Sequence, residues 1–95
     1  MIQSISTIDL KERLSQGAQI TIIDVRESDE VAEGMIPGAI HIPLGDIPSR
    51  YQEIQQQGDI ILVCRSGKRS QKAYEFLENQ GYKNLFNMDG GMLQW

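Results

Sequence analysis

The run Ile60-Ile61-Leu62-Val63, with Cys64 directly behind it, constrains this chain more than any other stretch. Four apolar, mostly β-branched side chains between the turn pair Gly58-Asp59 and a polar loop are too few for a helix and read as a buried strand. A second run of the same kind, Ile20-Thr21-Ile22-Ile23-Asp24-Val25, sets Asp24 near its C-terminal end. Near-continuous apolar strands belong to sheets covered on both faces.

The remaining segments supply that cover. Ser6 to Gly17 opens on capping residues, places Ile8, Leu10 and Leu14 among charges and stops at glycine, which predicts a short amphipathic helix. Ile2 to Ile5 before it predicts a brief strand. Ser28 is placed to cap a helical turn through Ala32 that Gly34 ends; Ile36-Pro37-Gly38 reads as a turn, and Ala39 to Ile42 as a strand closed by Pro43. Asp46 or Pro48 opens a short helix reaching Gln57. Ser70 is placed to cap a helix with Ala73, Phe76 and Leu77 at helical spacing and Gly81 at its C-terminal stop, before a last strand, Leu85 to Met88. Strands alternating with helices predict an α/β fold with a mostly parallel central sheet flanked by helices on both faces. A chain of 95 residues, 40 % of them hydrophobic, has room for one core, so residues 1–95 are expected to form a single domain.

A net charge of −4 argues against non-specific binding to nucleic acid or to an anionic membrane. No basic and apolar leader precedes the first helix, and no apolar run approaches the roughly 18 residues of a membrane span, so a cytoplasmic protein is expected. A lone cysteine makes no intrachain disulfide, and a lone histidine leaves no metal-ligand cluster, so neither a metal nor an organic cofactor is expected.

Chemistry concentrates in Cys64-Arg65-Ser66-Gly67-Lys68-Arg69-Ser70, a turn from strand to helix, where α/β sheets bind their ligands. From Cys64 to Lys72 the chain carries four of its nine cations and none of its thirteen acids. Three effects there favour a thiolate: the positive end of the following helix, amide N–H groups turned inward by a tight loop, and nearby guanidinium and ammonium groups. An unperturbed thiol with pKa about 8.5 is only about 3 % ionised at pH 7, and a shift of about two units, roughly 2.7 kcal/mol, makes it mostly thiolate. The helix end supplies about 0.3–1 kcal/mol of this, leaving the rest to amides and charges.

A cysteine behind a buried strand is ordinarily an inert small hydrophobe. The basic loop argues otherwise, because Gly67 frees the backbone where amides must converge. Gly67-Lys68 does not belong to a phosphate-binding P-loop, since Leu62 and Arg69 stand where that motif needs Gly and Ser or Thr. Asp24 and Arg26 read as an ion-paired scaffold, and His41, between Ile40 and Ile42, as a hydrogen-bonded structural histidine.

These residues resemble the rhodanese family. The likeness runs from Asp24-Val25-Arg26-Glu27 through Gly34-Met35-Ile36-Pro37-Gly38-Ala39-Ile40-His41-Ile42-Pro43-Leu44 and the Cys64 loop to Gly90-Gly91-Met92-Leu93-Gln94-Trp95. The chain departs from many relatives at Met35, where they carry His, and at Val31, where they carry an aromatic residue. The resemblance implies a thiosulfate sulfurtransferase, single-domain type, in which Cys64 carries sulfur as a persulfide between a small anionic donor and a thiol or cyanide acceptor, with a protein acceptor also open. Arg65, Ser66, Gly67, Lys68, Arg69 and Ser70 are then the substrate-binding residues around catalytic Cys64.

Two other readings compete. A non-catalytic protein-binding or sulfur-carrier module uses the same fold, although loss of the cysteine usually marks it and Cys64 is present. A cysteine phosphatase or arsenate reductase resembles Cys, five residues, then Arg; here four residues separate Cys64 from Arg69, and a shorter loop leaves less room for a tetrahedral oxyanion.

Overall fold

The computed structural model describes residues 2–95. Five strands, β1 (Ser4–Ile5), β2 (Ile20–Asp24), β3 (Ile40–His41), β4 (Asp59–Val63) and β5 (Leu85–Met88), form one sheet in the order β1-β5-β4-β2-β3. Every pairing is parallel. The two long apolar runs pair with each other, Ile22 opposite Ile61 and Asp24 opposite Val63, so the strand leading to Cys64 lies at the sheet's centre.

Strand alternation sorts the core into two layers. Ile22, Ile61, Val63 and Met88 pack on one face with Leu10 of α1 (Thr7–Ser15). Ile23, Ile60, Leu62 and Leu85 pack on the other with Ala73, Tyr74 and Leu77 of α4 (Lys68–Asn79) and Ile47 of α3 (Ile47–Arg50). Each fully buried Leu or Ile contributes about 1.5–3 kcal/mol relative to exposure. Cys64 continues the parity of Ile60 and Leu62, so its side chain belongs to the α4 layer.

Three helix starts differ from the expectation. Ser6 does cap α1, its hydroxyl accepting from the Asp9 N–H at 3.0 Å. In α2 (Ser28–Val31), however, Ser28 is already helical and the cap is Glu27, whose N–H donates to Glu30 Oε1 at 3.0 Å in a reciprocal capping box. The segment expected to form one helix up to Gln57 is broken into a 3₁₀ turn at Leu44–Asp46, α3, and a second 3₁₀ turn at Tyr51–Glu53. Its buried anchors end at Ile54, and Gln55-Gln56-Gln57 offers nothing apolar to hold a further turn down. In α4 the cap is Gly67 rather than Ser70. A φ of +100° at Gly67, open to glycine and disfavoured for residues with a Cβ, starts the helix at Lys68 and releases the Ser70 hydroxyl for another task. Gly81, with φ +92°, follows the last turn of α4 as expected.

Candidate active site

Cys64 leaves the central strand and faces the first turn of α4. The Gly67 N–H donates to Cys64 Sγ at 3.0 Å, and the Ser70 hydroxyl lies 3.3 Å from the same sulfur. Burial pushes the Cys64 thiol up, but the Ser70 hydroxyl and the N–H groups of Ser70, Gly67 and Ser66 outweigh it and hold the group below its ordinary value. A loop that closes within six residues thus aims several donors at one sulfur, the arrangement of an anion nest. Cys64 itself is fully buried.

The loop is held open from behind by the chain's last turn. The Met92 N–H donates to the Cys64 carbonyl at 2.8 Å and the Leu93 N–H to the Arg65 carbonyl at 3.0 Å, so the loop's carbonyls point out and its amides in. Gly91, φ +59°, permits this approach: a Cβ there would stand 2.5 Å from the Cys64 carbonyl oxygen and closer still to that of Arg65.

The loop's cations divide. Arg69 makes a two-pronged ion pair with Glu30, 2.7 Å on each arm, tying α2 to the loop. Arg69, with a backbone N–H from Glu27, draws Glu30 down to about 2. Arg65 and Lys68 are exposed. Arg65 lines a cleft of about 190 Å³ together with Arg26, Glu30, Glu33, Met92 and Leu93. The leading groups that lower the Cys64 thiol are therefore amides and a hydroxyl, where the sequence reading gave the cations an equal share. A larger hollow of about 450 Å³, beside Tyr74, Tyr82 and Lys83, opens at the other end of the sheet, before β5, and holds no cysteine.

Asp24, Arg26 and His41 form a closed structural set. Arg26 Nη2 donates to Asp24 Oδ2 at 2.8 Å and to the Gly34 carbonyl at 2.7 Å, and its Nε donates to Asp24 Oδ1 at 3.0 Å. His41 Nε2 donates to the Arg26 carbonyl at 2.7 Å. These are the scaffold roles their positions suggested.

Asn87 is the participant that sequence reasoning missed. It follows Leu85 on the α4 face of β5, is buried, and places its Oδ1 to accept from the Ser70 hydroxyl while its Nδ2 donates to the Gly67 carbonyl at 3.2 Å. A polar amide at a core-facing strand position was the available signal. Among the described residues no cluster of His, Cys, Asp or Glu could hold a metal ion, and no helix is long and apolar enough to cross a membrane.

The model of the rhodanese-like domain matches residues 6–95. The chain is 45 % identical over 94 residues to YtwF of Bacillus subtilis, a protein provisionally named a sulfurtransferase, covering 99 % of this chain and 90 % of the relative. It is 38 % identical over 95 residues to a sulfurtransferase of Allochromatium vinosum, covering all of this chain and 89 % of that protein. The crystal structure of a rhodanese-like domain protein from Staphylococcus aureus superposes with a TM-score of 0.92 at 37 % identity, covering 99 % of this chain and 91 % of that one. With the α/β fold, the parallel five-stranded sheet and the cysteine loop at its centre, the chain belongs to the rhodanese-like family.

Proposed function

We propose that the protein moves sulfane sulfur from an anionic donor, thiosulfate or a polysulfide or persulfide, to a thiol or cyanide acceptor through a persulfide on Cys64. The observation that carries this reading is the Gly67 N–H directed at Cys64 Sγ at 3.0 Å, with the amides of Ser66 and Ser70 acting on the same atom. The Cys64 thiolate attacks the outer sulfur of thiosulfate; the sulfur–sulfur bond breaks, and sulfite leaves with its electron pair. The terminal sulfur of the persulfide then carries the negative charge, and the loop amides stabilise it. An acceptor nucleophile attacks that terminal sulfur, and Cys64 leaves as the thiolate. No metal or organic cofactor enters this cycle. Arg65 and Lys68, exposed on the same loop as Cys64, draw the anionic donor in.

Phosphatase chemistry fits less well. Arg69, the residue nearest to a phosphatase-like arginine, spends its guanidinium fork on Glu30 and does not offer it to an oxyanion.

Intact-protein mass spectrometry after incubation with thiosulfate tests the reading. An adduct of one sulfur that cyanide removes and that Cys64→Ser cannot form is expected. No adduct on the wild-type protein, or turnover of p-nitrophenyl phosphate dependent on Cys64, overturns it.

A further inference from the structure

The hydroxyl of Ser70 has one proton and two places that need it. Cys64 Sγ lies 3.3 Å away on one side, and Asn87 Oδ1 accepts on the other. Ser70 and Asn87 are both buried, so water does not supply a second donor. The Asn87 amide is fixed in this orientation by its Nδ2, which donates to the Gly67 carbonyl at 3.2 Å; rotated by half a turn, it would set two carbonyl oxygens against each other.

With Cys64 as a thiol, every partner is satisfied: S–H donates to Ser70 Oγ, and Ser70 O–H donates to Asn87 Oδ1. When the sulfur's proton leaves to solvent, the two demands conflict. Either the Ser70 O–H turns to the sulfur and leaves Asn87 Oδ1 facing an oxygen lone pair, or it stays on Asn87 and turns an oxygen lone pair toward the anion. Both arrangements forfeit one hydrogen bond that the thiol form keeps.

We propose that Asn87 is a positioning residue that competes with Cys64 for the single Ser70 proton and so restrains ionisation of the sulfur. Asn87 touches neither the sulfur nor the cleft in this arrangement; it acts through Ser70. The role rests on the reading of Cys64 as the reacting sulfur and adds to it a residue that sets how much thiolate is present. The charged groups around the sulfur are otherwise paired or outward: Arg69 with Glu30 of α2, Arg26 with Asp24 of β2, and Arg65, Lys68 and, beyond β5, Asp89 at exposed positions.

Because Cys64 is the only cysteine, its ionisation is read directly from the pH dependence of iodoacetamide alkylation or of thiolate ultraviolet absorbance. Asn87→Leu keeps the branching and the number of side-chain heavy atoms and removes the acceptor, and the midpoint is expected to fall by roughly 0.5–1 unit, the worth of one hydrogen bond. Asn87→Asp holds the Ser70 proton more tightly and adds a negative charge, so the midpoint rises. Ser70→Ala removes the shared proton, and in that background Asn87→Leu is expected to move the midpoint no further. A midpoint that rises in Asn87→Leu, or that shifts equally with and without Ser70, overturns the proposal, because a merely structural asparagine would act regardless of the hydroxyl. Loading of sulfur from thiosulfate is measured in parallel: variants that show these shifts in a protein that takes up no sulfur support the relay and overturn the transfer reading. Loading without the shifts does the reverse.

Discussion

Two neighbouring strands of this sheet end in residues of catalytic type, and their fates differ. At the end of β2 the side chains of Asp24 and Arg26, with His41 of the neighbouring β3, are hydrogen-bonded to one another's side chains or backbone, with Arg26 also reaching the Gly34 carbonyl. Beyond β4, Cys64 meets amides and a hydroxyl that converge on its sulfur, while Arg65 and Lys68 remain exposed. The ends are side by side, since Asp24 pairs with Val63. Residue type therefore does not distinguish scaffold from site here. What distinguishes them is whether the polar capacity is already used: the β2 end is satisfied by the fold, and the β4 end has donors left for an anionic sulfur.

The largest effect that tests this contrast is loss of sulfur loading. Cys64→Ser is expected to abolish the thiosulfate-derived adduct completely while the protein still folds, as judged by circular dichroism, because a hydroxyl replaces a thiol of nearly the same shape. Arg26→Ala is expected to do the opposite. Its side chain is 8 % exposed and that of its partner Asp24 is 1 % exposed, so removing the guanidinium leaves a buried carboxylate unpaired and costs about 3–5 kcal/mol in urea unfolding. Loading of whatever protein remains folded should persist. If Arg26→Ala proves stable and inactive, the scaffold and the site have been assigned the wrong way round.

A smaller effect separates the loop's cations from its amides. Arg65→Ala is expected to lower kcat/KM for thiosulfate several-fold, an effect that shrinks as salt is raised, with little change in the Cys64 ionisation midpoint. Arg13→Ala, which breaks a half-buried pair with Asp59 remote from the loop, serves as the control and leaves kcat/KM unchanged. Equal losses in the two variants would mean that the loop charges do not steer the donor.

Much of this arrangement was legible before the structure. The apolar runs at Ile20 and Ile60 located two buried strands that prove to be neighbours at the middle of the sheet, and the basic turn marked the loop. Less legible was anything that depends on residues far apart in the chain. Glu30 and Arg69 are 39 positions apart and meet only because β2 and β4 are neighbours, so the sequence showed a free cation where the fold neutralises one. Ser70 has the chemistry of a helix cap, and its diversion to Cys64 and Asn87 follows from Gly67 starting α4 three residues earlier. The closing Gly90-Gly91 pair was visible only as part of a family likeness. Its physical reason, a backbone passing so close to the Cys64 and Arg65 carbonyls that no Cβ fits at Gly91, needs the assembled loop.

The smallest expected effect concerns the pair that ties α2 to the loop. Arg69 holds Glu30 at about 2, against an ordinary value of 4.5, so the pair's contribution is complete above pH 4.5. It is lost as pH falls from there through the lowered value, because the unfolded chain takes up the proton first. The Glu30 and Arg69 side chains are 24 % and 33 % exposed, and solvent screening reduces the contribution to about 1 kcal/mol. Glu30→Gln should therefore flatten the acid limb of the stability curve between pH 4.5 and 2 by about that amount, measured by urea unfolding at stepped pH. The same variant frees the Arg69 fork beside the sulfur, and donor turnover at neutral pH is expected to change by less than it does in Arg65→Ala. A Glu30→Gln protein that unfolds along an unchanged acid limb would show that the tether adds nothing to stability. One that gains phosphatase activity would show that the ion pair, and not the length of the loop, keeps oxyanion chemistry out.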